Sequence, residues 1–381
     1  MLARRIGDRE KRELQWLRAT VFVYPPVVPG IVSESVKGWL HCREALSGGE
    51  LVSDPGLAGL ESGPASNLLF MDGEEQQRLR RLVMPYFTSR RLVSIEARLE
   101  GSSRSLLDSA LEQPEPDLVA DLAEPLVLDA VLSAMEIPEA RRERLGALAQ
   151  GMLGLLEPDL PAESRRRARN AAMRATLLFE RDYRNGGATG LHGALESASA
   201  AGTIPAELAR STPVVVLHGG YENPLNQLGC VIAWAIQNPE LFKEAAASAP
   251  SLLFEEVLRV FSPVRLVARW MASDGGGDGQ PPRRGDLVWI DLESANRDGR
   301  RFADPDGIDL SDRRRHLGFG YGAHACPGTA LARLKGRVLI SALAEVPNKL
   351  LGEFTVEWSE GVVARGPTRI VRRPKGSPRQ A

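Results

Sequence analysis

The sequence is short of several things at once, and each shortage excludes a class of protein. Cysteine occurs only at 42, 230 and 326 of 381 residues, an odd and sparse set that rules out a disulfide framework. A reducing compartment follows as the expectation. Excess charge of either sign is missing too: 48 basic against 49 acidic side chains leave a net charge of -1. A whole-chain polycation for nucleic acid or anionic lipid is therefore excluded. No stretch approaches the ~20 apolar residues of a membrane helix, and the most apolar early segment, VFVYPPVVPGIV, carries three prolines. The first residues, MLARRIGDREKRELQWL, are charged throughout where a signal peptide needs an apolar run. A cytoplasmic protein with no nucleic-acid or membrane partner is expected. Internal repeats and long low-complexity linkers are absent as well, so the chain does not visibly divide.

What is present is helical periodicity. In EEQQRLRRLVMPYF, Leu79, Leu82, Val83 and Phe87 share a face, and the segment from Leu92 to Leu111 continues the style. Further helices are predicted near 121–135, 141–156, 164–184, 206–237 and 251–260. Strand signals are few. RLVARWMA and DLVWIDL flank SDGGGDGQPPRRG, which suits a hairpin tip. The prediction is a mainly α protein, one large helical domain over 1–381 with a small β-sheet region, its basic tail from Arg365 running from a last short strand into a partly flexible end over about 366–381.

The densest signal is HLGFGYGAHACPGTALARLKGRVLI. Glycines at 318, 320, 322 and 328 surround Cys326, then a helical pattern begins. Glycine lets backbone approach a flat ligand and make turns that side chains block. Pro327 suits the first position of a helix, where its missing N–H costs nothing. A sulfur there faces free backbone N–H groups and the positive end of the helix dipole, which favours thiolate. Zinc is a poor match, since no second cysteine lies at close ligand spacing. Spacing alone leaves a metal ligand, a nucleophile and a buried structural thiol open.

FGYGAHACPGTALAR resembles the haem-binding loop of the cytochrome P-450 family, F-G-x-G-x-H/R-x-C-x-G followed by A-R. Phe319, Gly320, Gly322, His324, Cys326, Gly328, Ala332 and Arg333 fall on the pattern. Other segments resemble the same family in the same order, from about residue 35 to the end. Glu256 and Arg259 stand as the E-x-x-R pair, Arg269 in SPVRLVAR and Arg80 in the C-helix segment match haem-propionate positions, and SANRDGRRFADPD resembles the stretch before the cysteine loop. The resemblance implies the P-450 fold, haem b with Cys326 on its iron, and Arg80, Arg269 and His324 at the propionates. It assigns Glu256 and Arg259 a structural ion pair.

Two departures stand out. Where the family's I helix reads A/G-G-x-D/E-T, this chain has Gly219, Gly220, Tyr221, Glu222 and Asn223, with Asn226 fixing the register. The acid is kept and the alcohol is replaced by an amide, which cannot act as an acid near neutral pH. Pro224 removes a helical N–H and predicts a bent or widened turn at 220–224. Gln76 stands where many bacterial members have a histidine.

The resemblance implies a bacterial-type haem-thiolate oxygenase that oxidises a small or carrier-bound organic metabolite in specialised metabolism. Glu222, Asn223 and Gly220 shape the oxygen site, and His218, Tyr221 and Leu266 are candidate substrate contacts. Electrons come from NAD(P)H through a separate ferredoxin and ferredoxin reductase, meeting basic residues such as Arg80, Arg81, Arg313 and Lys335. A monomer is expected. The missing threonine supports a second reading, peroxide-driven or non-hydroxylating haem chemistry. A third is a haem-binding or partner-recruiting protein without turnover. Cys42 and Cys230 are expected in the core.

Overall fold

Leucines spaced three, four or seven apart create the apolar stripes around which the chain assembles. In the computed structural model, residues 35–60, 67–274, 282–311, 315–346 and 354–372 are described. Strand β1 (Ser35–Val36), helix α1 (Trp39–Leu46) and strand β2 (Leu51–Val52) come first. A run of helices follows: α2 (Gly73–Val83), α3 (Ser89–Glu112), α4 (Glu124–Ala134), α5 (Glu139–Gly151), α6 (Ala162–Arg184) and α7 (Gly190–Ala200). It continues through α8 (Ala206–Gly219), α9 (Glu222–Gln237), α10 (Pro239–Ser248) and α11 (Pro250–Phe261). Strands β3 (Leu266–Met271) and β4 (Leu287–Asp291), helices α12 (Leu292–Asn296) and α13 (Thr329–Glu345), and strands β5 (Phe354–Trp358) and β6 (Pro367–Arg372) complete the order.

The expected mainly helical protein with a minor sheet is what forms. Leu92, Leu99, Leu107 and Leu111 of α3 are buried in the main core with Leu331, Leu334, Val338 and Leu339 of α13. The four-stranded sheet has the order β1-β4-β3-β2, with β1 parallel to β4 and the other pairs antiparallel. β3 and β4 pair across the predicted hairpin, Ala268 opposite Trp289, while the tip at 275–281 lies outside the described residues. Cys42 and Cys230 are buried, as expected of core thiols. No helix among the described residues is long and apolar enough to cross a membrane.

Two local expectations need correction. The flexible span assigned to about 366–381 takes in too much, because Pro367–Arg372 is the expected last short strand, paired with β5, and Asp117 accepts its Ile370 N–H at 3.1 Å. Alternation of buried and exposed residues in PTRIVR is weak, and the long-range acceptor is invisible locally. Pro327 does not open α13, whose N-cap is Gly328; the proline sits in the turn that delivers the cysteine.

The predicted I-helix distortion is a full break. α8 ends at Gly219 and α9 restarts at Glu222, leaving Pro224 in the first turn of the new helix, where its missing N–H leaves no hydrogen bond unmade. A Cβ on Gly220 would collide with the Val131 side chain and approach the Val216 carbonyl at 2.9 Å. Close packing against α4 therefore demands glycine at that corner.

Candidate active site

The cysteine loop is bent by Gly320 and Gly322, whose φ angles of 68° and 72° favour a residue without Cβ. Cys326 N–H closes the loop by donating to Phe319 O at 2.8 Å, and Thr329 Oγ1 donates to Cys326 O at 2.9 Å. Cys326 is the exposed member of the three cysteines, reachable yet recessed. Burial raises its thiol pKa; the Gly328 N–H, the Thr329 side chain and the charges of Lys335 and Arg80 oppose the rise without cancelling it. The Gly328 N–H thus favours the thiolate, as the helix end was expected to, while burial acts against it. A bound cation deprotonates a thiol outright.

Several elements converge on this loop. Arg80 of α2 is half-buried and donates to Ala325 O at 2.6 Å, and Gln76, fully buried, donates to Ala323 O at 3.1 Å. His324 Nε2 lies 2.8 Å from Asp72 Oδ1, and the other Asp72 oxygen accepts the N–H groups of Ser53 and Asp54. Burial pushes the Asp72 carboxyl up, but these contacts outweigh it and hold it below the usual range. Phe319 is half-buried, with the Arg333 guanidinium 5.4 Å from its ring centre. Arg269, on β3, is buried and donates to Ala268 O at 2.8 Å.

Glu256 and Arg259 form the expected ion pair, with contacts of 2.8 and 2.9 Å. Arg259 also donates to the carbonyls of Asn296, Asp304, Pro305 and Gly307, clamping the chain that leads to the cysteine loop. Next to it, Glu255 joins His316 and Arg333. Burial pushes Glu255 up, yet these two partners dominate and bring it to about 2.

At the helix break, Glu222 is buried with both oxygens engaged: Oε1 accepts from Gly154 N at 2.9 Å and Oε2 lies 2.9 Å from His218 Nε2. Tyr221 is buried and donates its OH to Glu124 Oε1, and burial with that contact raises its pKa. Asn223 is half-buried. Gly219 is exposed in the middle of an otherwise buried segment, and a Cβ there would meet nothing within 4 Å. Leu266 packs elsewhere, with Ala268, Trp289 and Val363. The structure therefore ties His218 to Glu222 and Tyr221 to Glu124, and sets Leu266 in a different cluster.

The expectation that Lys335 meets a partner at the surface fails: it is 1% exposed. Burial brings its ammonium down to about 7, and the Cys326 charge works in the opposite direction. Arg80 is only half-buried, Arg81 is exposed, and Arg313 lies outside the described residues. Sequence reading also missed Asp72 and the Gly154 contact to Glu222. Asp72 directly before Gly73 is legible as an N-cap candidate; nothing in the sequence joins residue 72 to 324, or 154 to 222.

A lone reachable thiol is the donor set of a metal centre that brings its other ligands with it. Among the described residues no group of three or more His, Cys, Asp and Glu side chains can hold a bare ion. The reachable Cys326 thiol, the positive-φ glycines of its loop and the Arg80 guanidinium bonded to that loop suit a flat tetrapyrrole bearing carboxylates. These features fit a haem site with a single protein sulfur donor.

No family model matches the chain. Curated relatives do. Cytochrome P450 107B1 of Saccharopolyspora erythraea is 30% identical over 319 residues, 81% of this chain and 77% of its own. Mycinamicin IV hydroxylase/epoxidase of Micromonospora griseorubida is 28% identical over 94% of this chain and 93% of its own. Among solved structures, the P450 monooxygenase TamI with tirandamycin C bound is 25% identical, with a TM-score of 0.75, over 91% of this chain and 92% of its own. The chain belongs to the cytochrome P450 family and is a P450 monooxygenase.

Proposed function

We propose that the protein inserts oxygen into a small organic metabolite of specialised metabolism, free or carrier-bound. Haem b is held through Cys326, and electrons come from NAD(P)H through an external ferredoxin and ferredoxin reductase. The observation that carries this reading is the single reachable thiol in its glycine-bent loop, with the other two cysteines buried. Arg80 and Arg269 supply the cations for the propionates; His324 acts there together with Asp72. When bound, haem iron with an axial thiolate supplies the activation of dioxygen.

The chain's own residues govern the proton. Glu222 holds a carboxylate against the His218 ring at the helix break, and this pair can accept and return a proton without a hydroxyl at 223. Asn223 offers an amide that can position water but not acidify it. Tyr221 and His218 shape the break from inside, and Leu266 the sheet region. The relative that hydroxylates and epoxidises mycinamicin IV supports oxygen insertion as the reaction type.

One observation favours a second reading, peroxide-driven or non-hydroxylating chemistry. Both Glu222 oxygens are already engaged and residue 223 carries no exchangeable acid. Turnover with a ferredoxin, its reductase and NADPH, set against hydrogen peroxide alone, separates the two. The first reading expects product from the redox chain, and peroxide release that rises in Glu222→Ala and falls in Asn223→Thr. Product from peroxide alone, with coupling indifferent to both substitutions, overturns it.

A further inference from the structure

The connection between α5 and α6, residues 152–161, reaches two segments remote from it in sequence. Its Gly154 N–H donates to Glu222 Oε1 at 2.9 Å, while Glu222 Oε2 stays against His218. Three residues on, the half-buried Glu157 carboxylate accepts the consecutive N–H groups of Val362, Val363 and Ala364 at 2.7–3.2 Å. Successive N–H groups aimed at one point make an anion cradle, and hydrogen bonds to a carboxylate are the strong kind. A Cβ at Gly361 would meet Glu157 Oε1 at 2.8 Å and overlap the Ala364 carbonyl, so glycine keeps the cradle open. Burial raises the Glu157 pKa and the Glu222 charge adds to the rise; the three N–H groups offset part of it.

The cradle is anchored on its far side. Val363 O accepts from Arg265 N and Arg365 N donates to Pro263 O, both at 2.8 Å, which ties the turn to the chain entering β3. The other partner moves with Glu157. Leu153 is exposed, and Gly154, at a φ of 72°, has no side chain to pack. Glu157 N–H closes a turn onto Gly154 O at 2.9 Å, so the seat of Glu157 sets where the Gly154 N–H points.

We propose that Glu157 is a positioning residue for Glu222: its seat in the 362–364 cradle fixes the turn whose Gly154 N–H orients the acid at the helix break. The inference rests on Glu222 governing the proton in oxygen insertion. Loss of the Glu157 carboxylate frees the turn and takes from Glu222 one of its two orienting contacts.

The test uses the haem-loaded protein and two readouts. Hydrogen exchange followed by mass spectrometry compares residues 152–157 and 359–366 in wild type, Glu157→Ala, Glu157→Gln and Glu222→Ala. Exchange in both segments is expected to be faster by roughly tenfold or more in Glu157→Ala, with Gln in between because it keeps one acceptor oxygen. In Glu222→Ala only 152–157 is expected to change, since the cradle stays filled. Peroxide released per NADPH, with a ferredoxin and its reductase, is the second readout. It is expected to rise in Glu157→Ala, and Glu157→Ala combined with Glu222→Ala is expected to release no more than Glu222→Ala by itself. Unchanged exchange at 152–157 in folded Glu157→Ala overturns the proposal, because the buried Met152 and Leu155 then hold the turn unaided. Peroxide release at the wild-type level in that variant, or a rise that adds in full to that of Glu222→Ala, overturns it too. If Ala does not fold, Gln decides. Peroxide release at the wild-type level in Glu222→Ala itself removes Glu222 from proton delivery, and the proposal falls with that reading even where exchange at 152–157 responds to Glu157.

Discussion

Glu256→Gln is the substitution whose cost can be worked most directly from the contacts. The carboxylate accepts from Arg259 Nε at 2.9 Å and Nη2 at 2.8 Å, and from the Asp309 N–H at 3.0 Å. Glutamine keeps the shape, but turns one acceptor into a donor facing another donor and removes the anion. Arg259 then remains 1% exposed with carbonyls and the Phe302 ring around it and no anion. Leaving one partner of a buried ion pair uncompensated costs about 3–5 kcal/mol. With an unfolding entropy of ~2.1 cal/mol/K per residue, a chain of 381 residues loses about 4–6 °C in Tm for that penalty. Thermal unfolding followed by far-UV circular dichroism reads the shift, and haem content reads the consequence for the cysteine loop that Arg259 clamps. Arg259→Met and the double variant complete a cycle in which the double costs less than the sum of the singles. A Tm within about 1 °C of wild type for Glu256→Gln, or strict additivity in the cycle, refutes the reasoning.

Two further outcomes follow from groups nearby. Glu255 titrates at about 2 in the folded chain against an ordinary 4.5, so its contribution is full above the unfolded value and lost as pH falls from 4.5 toward 2. That difference corresponds to roughly 3 kcal/mol. Denaturant titrations across this window are expected to show a shallower acid loss in Glu255→Gln than in wild type; parallel curves would remove Glu255 from the account. Gly220→Ala places a Cβ against Val131 and 2.9 Å from Val216 O, an overpacking cost of about 1–3 kcal/mol. Gly219→Ala, with nothing within 4 Å, is the control and is expected to unfold later than Gly220→Ala in the same thermal scan.

Local pattern was enough for the helices. Apolar spacing marked α3, α6 and α11 to within a few residues, because one buried face per helix leaves a 3.6-residue trace in any sequence. It was enough for the cysteine loop too, since glycines at positive φ and a lone cysteine stand together within ten residues. The last short strand expected in the tail forms at Pro367–Arg372, where pairing with β5 and the distant acceptor Asp117 hold it.

Charge was the property least legible along the chain. Arg259, Lys335 and Glu222 read alike as polar side chains, yet all three are buried, and each owes its state to a different neighbour. Arg259 has Glu256 three residues away, and the resemblance carried by the sequence already implied that pair and its structural role. Glu222 depends on Gly154 as well as His218, and Lys335 on the packing of α13 that buries it. Only the tertiary structure decided those. Burial removes the water that otherwise makes one charged side chain much like another, and which partner replaces that water is set by packing between segments remote in sequence.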